Sequence, residues 1–487
     1  VEQLIILLTW LAVILVVGIA AGRLRPIRTA EDWSVAGRSF RWITNYFTAH
    51  ATQLSALTML GFPGLIYLVG VPALYAHFIA YMLGTCGFFV LFGTKIWRLG
   101  KKHRHITPTD FLTQYYGGGK WFGFFLGAVF FLALIPYIQI QVLGAGFLFE
   151  MASGGLIPGW MGALILYGMV AIYTWIGGLR SVAYTDVVQG AMLLFGLWVG
   201  TIAIIQVIGG GFINTFSMAI EKVPQLLTVS GYKGWNWPFV LSWALALGVG
   251  WAFHAHMWLR MYTSRSAKDS RIWTATIFAE NMIHGILLTG AMIAVAMAFP
   301  GIERADLAFM GTVEKLFPTF FFGLFLAAVA SAIFSTVDSQ VHALGLIVSH
   351  DFIERSGRKL KDREFIWVNR LVVLIVVLAG YILAYTYPEP LGFLSGYPAS
   401  LGFILLPTVI FAVTAQRWVT KHGVILGLIA GYIVMAITST GPLKNPYSIY
   451  FGLWGVIANT IVLIIVSLLT KTRPSEEAVR EVKEAGW

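Results

Sequence analysis

Charge is what this sequence has least of. Asp, Glu, Lys and Arg make up 11% of its 487 residues, while 58% are hydrophobic. A soluble protein carries roughly 25% charged residues, so the deficit excludes a soluble globular domain and leaves a polytopic membrane protein. Cysteine is nearly absent as well: Cys86 stands alone in an apolar segment, which excludes an intramolecular disulfide. The loops are mostly short and carry no His/Asp/Glu cluster, glycine-rich phosphate loop or nucleophile–base pair, so an enzyme is not expected. The first apolar stretch lacks a basic n-region and a small-residue cleavage site, so no cleavable signal is expected there. The final stretch, KTRPSEEAVREVKEAGW, is too short for a kinase or receiver domain, and a sensory protein is not expected either.

What is present is hydrocarbon, in runs near the 20 residues that cross a bilayer as a helix. Thirteen such runs fall at 3–22, 44–70, 73–98, 121–150, 157–176, 183–209, 237–258, 271–299, 316–350, 365–387, 391–414, 421–441 and 448–470. Several exceed 25 residues, which implies tilt, kinks or extension past the bilayer. With thirteen spans the loops fall into two alternating sets. One set carries 28 of the 33 basic residues; the other holds only Lys222, Lys233, Arg304, Lys315 and Lys444. Basic residues collect on the cytoplasmic side. The expectation is an integral plasma-membrane protein with its N-terminus outside and C-terminus in the cytoplasm. The net charge of +11 thus orients the chain in the lipid bilayer and calls for no nucleic-acid partner.

Polar groups inside membrane spans are costly and mark function. In FLAAVASAIFSTVDSQVH (325–342), Ser331, Ser335 and Ser339 recur every four residues, as do Ala328, Ala332 and Thr336. One helical face is therefore small and oxygen-rich, fit either for close helix packing or for coordinating something. The second span, YFTAHATQLSALTMLGFPGLIYLVG, carries His50, Gln53, Ser55 and Thr58, followed by Gly61, Pro63 and Gly64. Its helix is expected to open near Ala51 to Leu54 or at the glycines, because opened backbone at membrane depth is tolerated where it lines a cavity. The seventh span has a matching weak point at Gly248, Gly250, Trp251, His254 and His256. Two interrupted helices in corresponding places of two halves point to an inverted-repeat transporter. The i,i+2 spacing of His254 and His256 puts them on different sides of a helix with no Cys or carboxylate cluster nearby, so no transition-metal site is expected. Tyr137, Gln139 and Gln141 in the fourth span, and Glu280, Asn281 and His284 in the eighth, either line a site or make interhelical hydrogen bonds.

Between the fifth and sixth spans lies WIGGLRSVAYTDVVQG (175–190). Thr185 or Asp186 is placed to cap the next helix. The string as a whole resembles the Gly-Gly-Leu-Arg/Lys…Thr-Asp…Gln hallmark of the sodium:solute symporter family. EDWSVAGRS, ATQLSALTMLGFPG and HMWLRMYTSRSAKDSR resemble other family motifs, and the stretch around Ser335–Thr336 and Asp338–Ser339 resembles the family's sodium helix. The matches cover nearly the whole chain.

The resemblance implies an all-α leucine-transporter fold with discontinuous helices and five-helix inverted repeats at 44–209 and 237–414. Residues 1–43 and 415–470 are then accessory helices, and 471–487 a cytoplasmic tail of one membrane domain. It implies sodium ligands at Ser335 and Thr336 and at the carbonyls of Ala332, Ala51 and Leu54. A further cation site near the cytoplasmic exit is implied at Asp186. The family's solute positions fall on Gln53, Ser55 and Thr58, on Trp251 and His254, and on Asn281; Tyr137 and Gln141 of the fourth span join them. Proline-type members have Asp at the Gln53 position; sugar-type members have Lys at Asn281 and Gln at Thr58. The Pro-His common before the arginine is Ala255-His256 here. A pocket core without Lys or Arg argues against a multivalent anion, whereas half-helix amides, Ser55, Thr58 and an imidazole suit a small carboxylate. IPYIQIQVLGAGFLFEMASG resembles the monocarboxylate and pantothenate branch. The leading expectation is sodium-coupled symport of a small organic solute by alternating access, monocarboxylate- or pantothenate-like first and a neutral or zwitterionic amino acid such as proline second. The alternatives are proton coupling in the same fold, which His50, His254, His256, His284 and Glu280 leave open, or a channel. No cofactor beyond the coupling ion is expected.

Overall fold

The computed structural model describes residues 2–24, 27–230, 232–386 and 390–486. Arg25, counted among the basic loop residues, Tyr387 at the end of one expected span, and the terminal Trp487 lie outside them. The described chain is helical, with one isolated parallel bridge between Phe40 and Ser264. In chain order the principal helices are α1 (Glu2–Leu24), α2 (Trp42–Gln53), α3 (Phe62–Val69), α4 (Val71–His103), α5 (Pro108–Tyr116), α6 (Lys120–Ala152) and α7 (Gly159–Gly209). There follow α8 (Trp237–Gly250), α9 (Ala255–Tyr262), α10 (Ala267–Ala298), α11 (Thr319–Glu354), α12 (Asp362–Thr386), α13 (Gly396–Phe403), α14 (Leu406–Val413), α15 (Lys421–Ser439), α16 (Phe451–Leu469) and α17 (Glu476–Glu484).

Nine described helices are long and apolar enough to cross a membrane, or up to twelve if each bent pair counts as one span. The thirteen expected runs exceed that count because two of them, 157–176 and 183–209, merge into α7. At 51 residues and about 1.5 Å per residue, α7 is far too long for one crossing of a hydrocarbon core about 30 Å thick. It does not run straight. Gly178 has φ 50° and ψ −145°, a conformation open to glycine. A Cβ at Gly18 would lie 2.7 Å from Tyr173 and 3.2 Å from Thr185. Those two residues are twelve apart in sequence, yet both touch one turn of α1, so the chain doubles back at Gly178.

Three further breaks are bends between short helices: 56° between α2 and the segment Leu57–Val69, 49° between the helices ending at Phe253 and starting at Ala255, and 43° before α14. The first arises because Leu54 is extended (φ −87°, ψ 97°) and the next turn is held by side chains. The Ala56 N–H donates to Gln141 Oε1 at 3.1 Å and the Leu57 N–H to Ser55 Oγ at 3.1 Å. The helix therefore opens at Leu54 and not at the glycines. Gly61 and Gly64 serve close approach instead, since a Cβ would meet Gly392 N at 3.0 Å or the Ala305 carbonyl at 2.9 Å. The second break falls at His254 (φ −78°, ψ 136°), after a 3-10 turn at Trp251–Phe253. Around these breaks α11 is the structural centre, buried continuously from Phe325 to Ile347.

Candidate functional site

The oxygen-rich face of α11 lies against the open end of α2. Ser335 Oγ is 2.8 Å from the Ala51 carbonyl and 2.7 Å from that of Ser331. Thr336 Oγ1 is 3.2 Å from the Thr52 carbonyl and 3.0 Å from that of Ala332. Since Leu54 is extended, the Thr58 N–H bonds the Ser55 carbonyl at 2.9 Å and leaves the Leu54 carbonyl without a helical partner. Ala51, Ala332, Ser335 and Thr336 thus come together, with Leu54 at the lip of the same break. The four-residue repeat makes a ladder: Ser331 accepts from Trp10 Nε1 at 2.9 Å, Ser335 meets Ala51, and Ser339 lies 2.9 Å from Thr52 Oγ1.

One turn further along, Asp186 is buried inside α7, eight residues past the turn, and caps nothing. It accepts hydrogen bonds from Thr48 Oγ1 and from Arg260 Nη2, the latter at 3.4 Å. The capping role expected for Thr185 or Asp186 is thereby corrected: the helix starts earlier, at Gly178. Arg260 also donates to Thr52 Oγ1 at 2.8 Å and to Ser339 Oγ. Asp338 accepts from Tyr173 at 2.7 Å and from Ser339 at 3.1 Å. Two carboxylates and one guanidinium, all buried, therefore sit beside the hydroxyl ladder. A buried arginine at bilayer depth was the readable signal for Arg260, and sequence reading assigned it no role.

A cavity opens beside the break, lined by Thr52, Gln53, Leu54, Ser55, Thr58, Tyr137, Trp251, Asn281 and, beyond the expected set, Leu57, Phe62, His77, Phe78, Tyr81, His256 and Met257. Of the expected solute positions, Gln53, Ser55, Thr58, Tyr137, Trp251 and Asn281 line it together. Two do not. Gln141 is spent capping the break of the second span. His254 stays behind the wall: its Nε2 lies 3.0 Å from the Pro398 carbonyl and struts its own break against α13. Its ring is 6.0 Å from Tyr137 and 5.7 Å from His256, so the two imidazoles are neighbours and not on different sides as their spacing predicts. The extended backbone at His254 swings the next residues inward, so His256 takes the imidazole position in the wall. His77 and Tyr81 carried an intramembrane signal that went unread. The wall holds no carboxylate, lysine or arginine, and among the described residues Gln53 Nε2, His77 Nδ1, Trp251 Nε1 and His256 Nδ1 have no hydrogen-bond partner.

Two other clusters are internally matched. Glu280 Oε2 lies 3.1 Å from His50 Nδ1 and its Oε1 3.4 Å from His284 Nε2, so these residues tie α2 to α10 outside the cavity. Asp110, His350 and Asp351 lie close enough to hold a metal, but Arg355 donates to Asp351 at 3.1 Å and to Asp110 at 2.5 Å. The positive charge that a metal would bring is already there.

Discontinuous helices whose opened backbone meets hydroxyls beside a closed cavity are the architecture of a secondary transporter. The sodium:solute symporter family profile matches residues 33–431, and the chain belongs to that family, a family of transporters and not of enzymes. It is similar to the uncharacterized symporter YodF of Bacillus subtilis strain 168, 25% identical over 479 residues, covering 95% of this chain and 93% of that one. It is similar as well to the sodium/proline symporter of Escherichia coli strain K12, 26% identical over 487 residues, covering 95% and 92%. Among solved structures, a Na+-coupled sialic acid symporter superposes with a TM-score of 0.79 at 18% identity, over 97% of this chain and 99% of that one. The fold is the leucine-transporter type.

Proposed function

We propose that this integral membrane protein couples sodium to the uptake of a small monocarboxylate or pantothenate-like solute by alternating access. The observation that carries the reading is adjacency. The break at Leu54 presents carbonyls to Ser335 and Thr336 on one side, and Gln53, Ser55 and Thr58 to the cavity on the other. Sodium held by the carbonyls of Ala51, Leu54 and Ala332 and the hydroxyls of Ser335 and Thr336 stabilises the same opened backbone that shapes the solute wall. Binding of either therefore favours the other, and the linkage is reciprocal. Asp186 and Asp338, two buried carboxylates against the single guanidinium of Arg260, are the proposed place for a further cation. Counting α7 as two crossings at Gly178 brings the spans to thirteen, with repeats at 44–209 and 237–414, the N-terminus outside and the C-terminus in the cytoplasm. A zwitterionic amino acid is the second reading, favoured by the proline symporter among the relatives; Gln53 in place of an acidic residue weighs against it. Sodium-gradient-driven uptake into proteoliposomes, across monocarboxylates, pantothenate and amino acids, tests both. Saturable, sodium-dependent accumulation of a monocarboxylate is expected; proton-driven accumulation indifferent to sodium would overturn the coupling.

A further inference from the structure

The two broken helices next to the cavity do not end alike. On the far side of the first break, the exposed amides are already satisfied: the Ala56 N–H by Gln141 and the Leu57 N–H by Ser55. On the far side of the second, α9 begins at Ala255 with no side-chain cap. Its Met257 and Trp258 N–H groups reach back to the His254 carbonyl at 3.1 and 3.4 Å, while those of Ala255 and His256 meet no acceptor among the described residues. A helix start with free N–H groups carries partial positive charge and is a ready site for an anion. The His254 side chain, the residue placed to cap it, is engaged with Pro398 instead.

A second observation falls at the same place. His256 is 2% exposed, lines the cavity, and its Nδ1 has no partner. Trp251, just before the break, also lines the cavity with its Nε1 unpartnered, and both rings flank Tyr137, at 4.6 Å for Trp251 and 5.9 Å for His256. A buried polar atom left unpaired is costly, so Trp251 Nε1, and His256 Nδ1 in the tautomer that carries its proton there, are provision for an acceptor that arrives. The cavity wall also has an apolar aromatic part, where Phe62 lies edge-on to Phe78 at 5.8 Å.

Resting on the transport reading above, we infer that the solute's carboxylate docks at the amino end of α9, against His256 Nδ1 and Trp251 Nε1, with its apolar body toward Phe62 and Phe78. The amino end beyond the first break is capped from within and is left out of the anion's site; the proposed sodium ligands are carbonyls at the carboxyl end of α2, before that break. His256 is then the specificity-determining residue for carboxylate over carboxamide. It acts as a neutral donor, so no titration is involved.

The test is sodium-driven uptake by the reconstituted full chain of a panel of two- to six-carbon monocarboxylates, each beside its carboxamide, in the parent, His256→Leu, His256→Asn and Ser55→Ala. Hydrogen bonds to charged groups are worth about 1.5–3 kcal/mol, so His256→Leu is expected to raise KM for the carboxylate by about 10- to 100-fold. The amide should change little, and the sodium concentration for half-activation, measured at saturating solute, should stay put. His256→Asn, whose side-chain amide nitrogen reproduces the Nδ1 position, should recover most of the loss. Equal loss for acid and amide in His256→Leu, or a carboxylate-selective loss in Ser55→Ala instead, would overturn the subsite while leaving sodium symport intact. Absence of sodium-driven uptake across the whole panel would overturn the transport reading and the subsite with it.

Discussion

At the scale of single residues, Ser335 and Thr336 decide between coordination and packing. Both hydroxyls are fully buried and aimed at carbonyls of α2. Substituting both by Ala keeps the small face of α11 and removes two oxygens. Apparent sodium affinity should fall, and solute affinity at limiting sodium should fall by the same coupling factor, about 5- to 150-fold, with high sodium restoring it. Titrating sodium against solute binding in the folded double variant checks this; an unchanged sodium affinity with lost thermal stability would assign the face to packing. Trp251 tests the neighbouring cavity. It packs on Tyr137 at 4.6 Å and on His254 at 5.0 Å. Trp251→Ala should weaken solute binding while sodium-induced stabilisation persists. Truncating a large side chain of this kind costs about 3–5 kcal/mol in a dry core and less beside a cavity. Unaltered solute affinity would move the pocket elsewhere.

At the scale of elements, the turn inside α7 and the loop over the first broken helix carry distinct predictions. Gly178 sits at positive φ, and a Cβ there would come within 2.9 Å of Trp33. Gly178→Val adds a clash to backbone strain of about 1–3 kcal/mol, so folded yield in detergent should drop sharply; a yield equal to the parent's would mean that the turn tolerates a side chain. Asp306 lies between spans and accepts the Leu391 N–H at 3.1 Å, pinning the 305–307 turn to the chain ahead of α13. Burial pushes its carboxyl up to about 6, against the opposing pull of the Leu391 and Gly392 amides and Arg304. The unfolded chain releases that proton near 3.9. Between these values the folded state holds more protons, so stability falls as pH rises through that window. Asp306→Asn should flatten this slope between about pH 4 and 6, measured as the thermal-unfolding midpoint against pH; a persistent slope would place the titration on another group.

At the scale of the whole molecule, the proposed orientation rests on the 28-to-5 division of basic residues and the positive-inside preference. The tail helix α17 agrees with this set: its Glu481 is paired with Lys102 at 2.7 Å and His103 at 3.1 Å, on the end of α4 that carries the same basic loop. Burial works to raise the Glu481 carboxyl, but the hydrogen bond and charge of Lys102, with His103 beside it, hold it below its ordinary range. A reporter fused after the last residue should be active only in the cytoplasm, and a periplasmic or extracellular signal would break the thirteen-span topology.

Composition and hydropathy by themselves determined that this chain is a helical membrane protein, because apolar length and charge deficit are properties of the sequence that hold in any arrangement of the helices. Local chemistry went further at the two breaks and along the serine ladder, since a four-residue repeat and a polar, glycine-containing span can be read without knowing their neighbours. What it could not supply was direction and partnership. Gln141 and Tyr137 lie one turn apart in the same span, yet only tertiary packing carries one to an amide and the other to the cavity. His254 and His256 are two residues apart and their rings stay 5.7 Å from each other, yet the first is bonded to the Pro398 carbonyl and only the second lines the cavity. Asp186 read as a helix cap because its partners Thr48 and Arg260 are 138 and 74 residues away, and a long-range pair leaves no local trace. Spacing along a helix is set by covalent geometry; which face meets which is set by packing across the bundle.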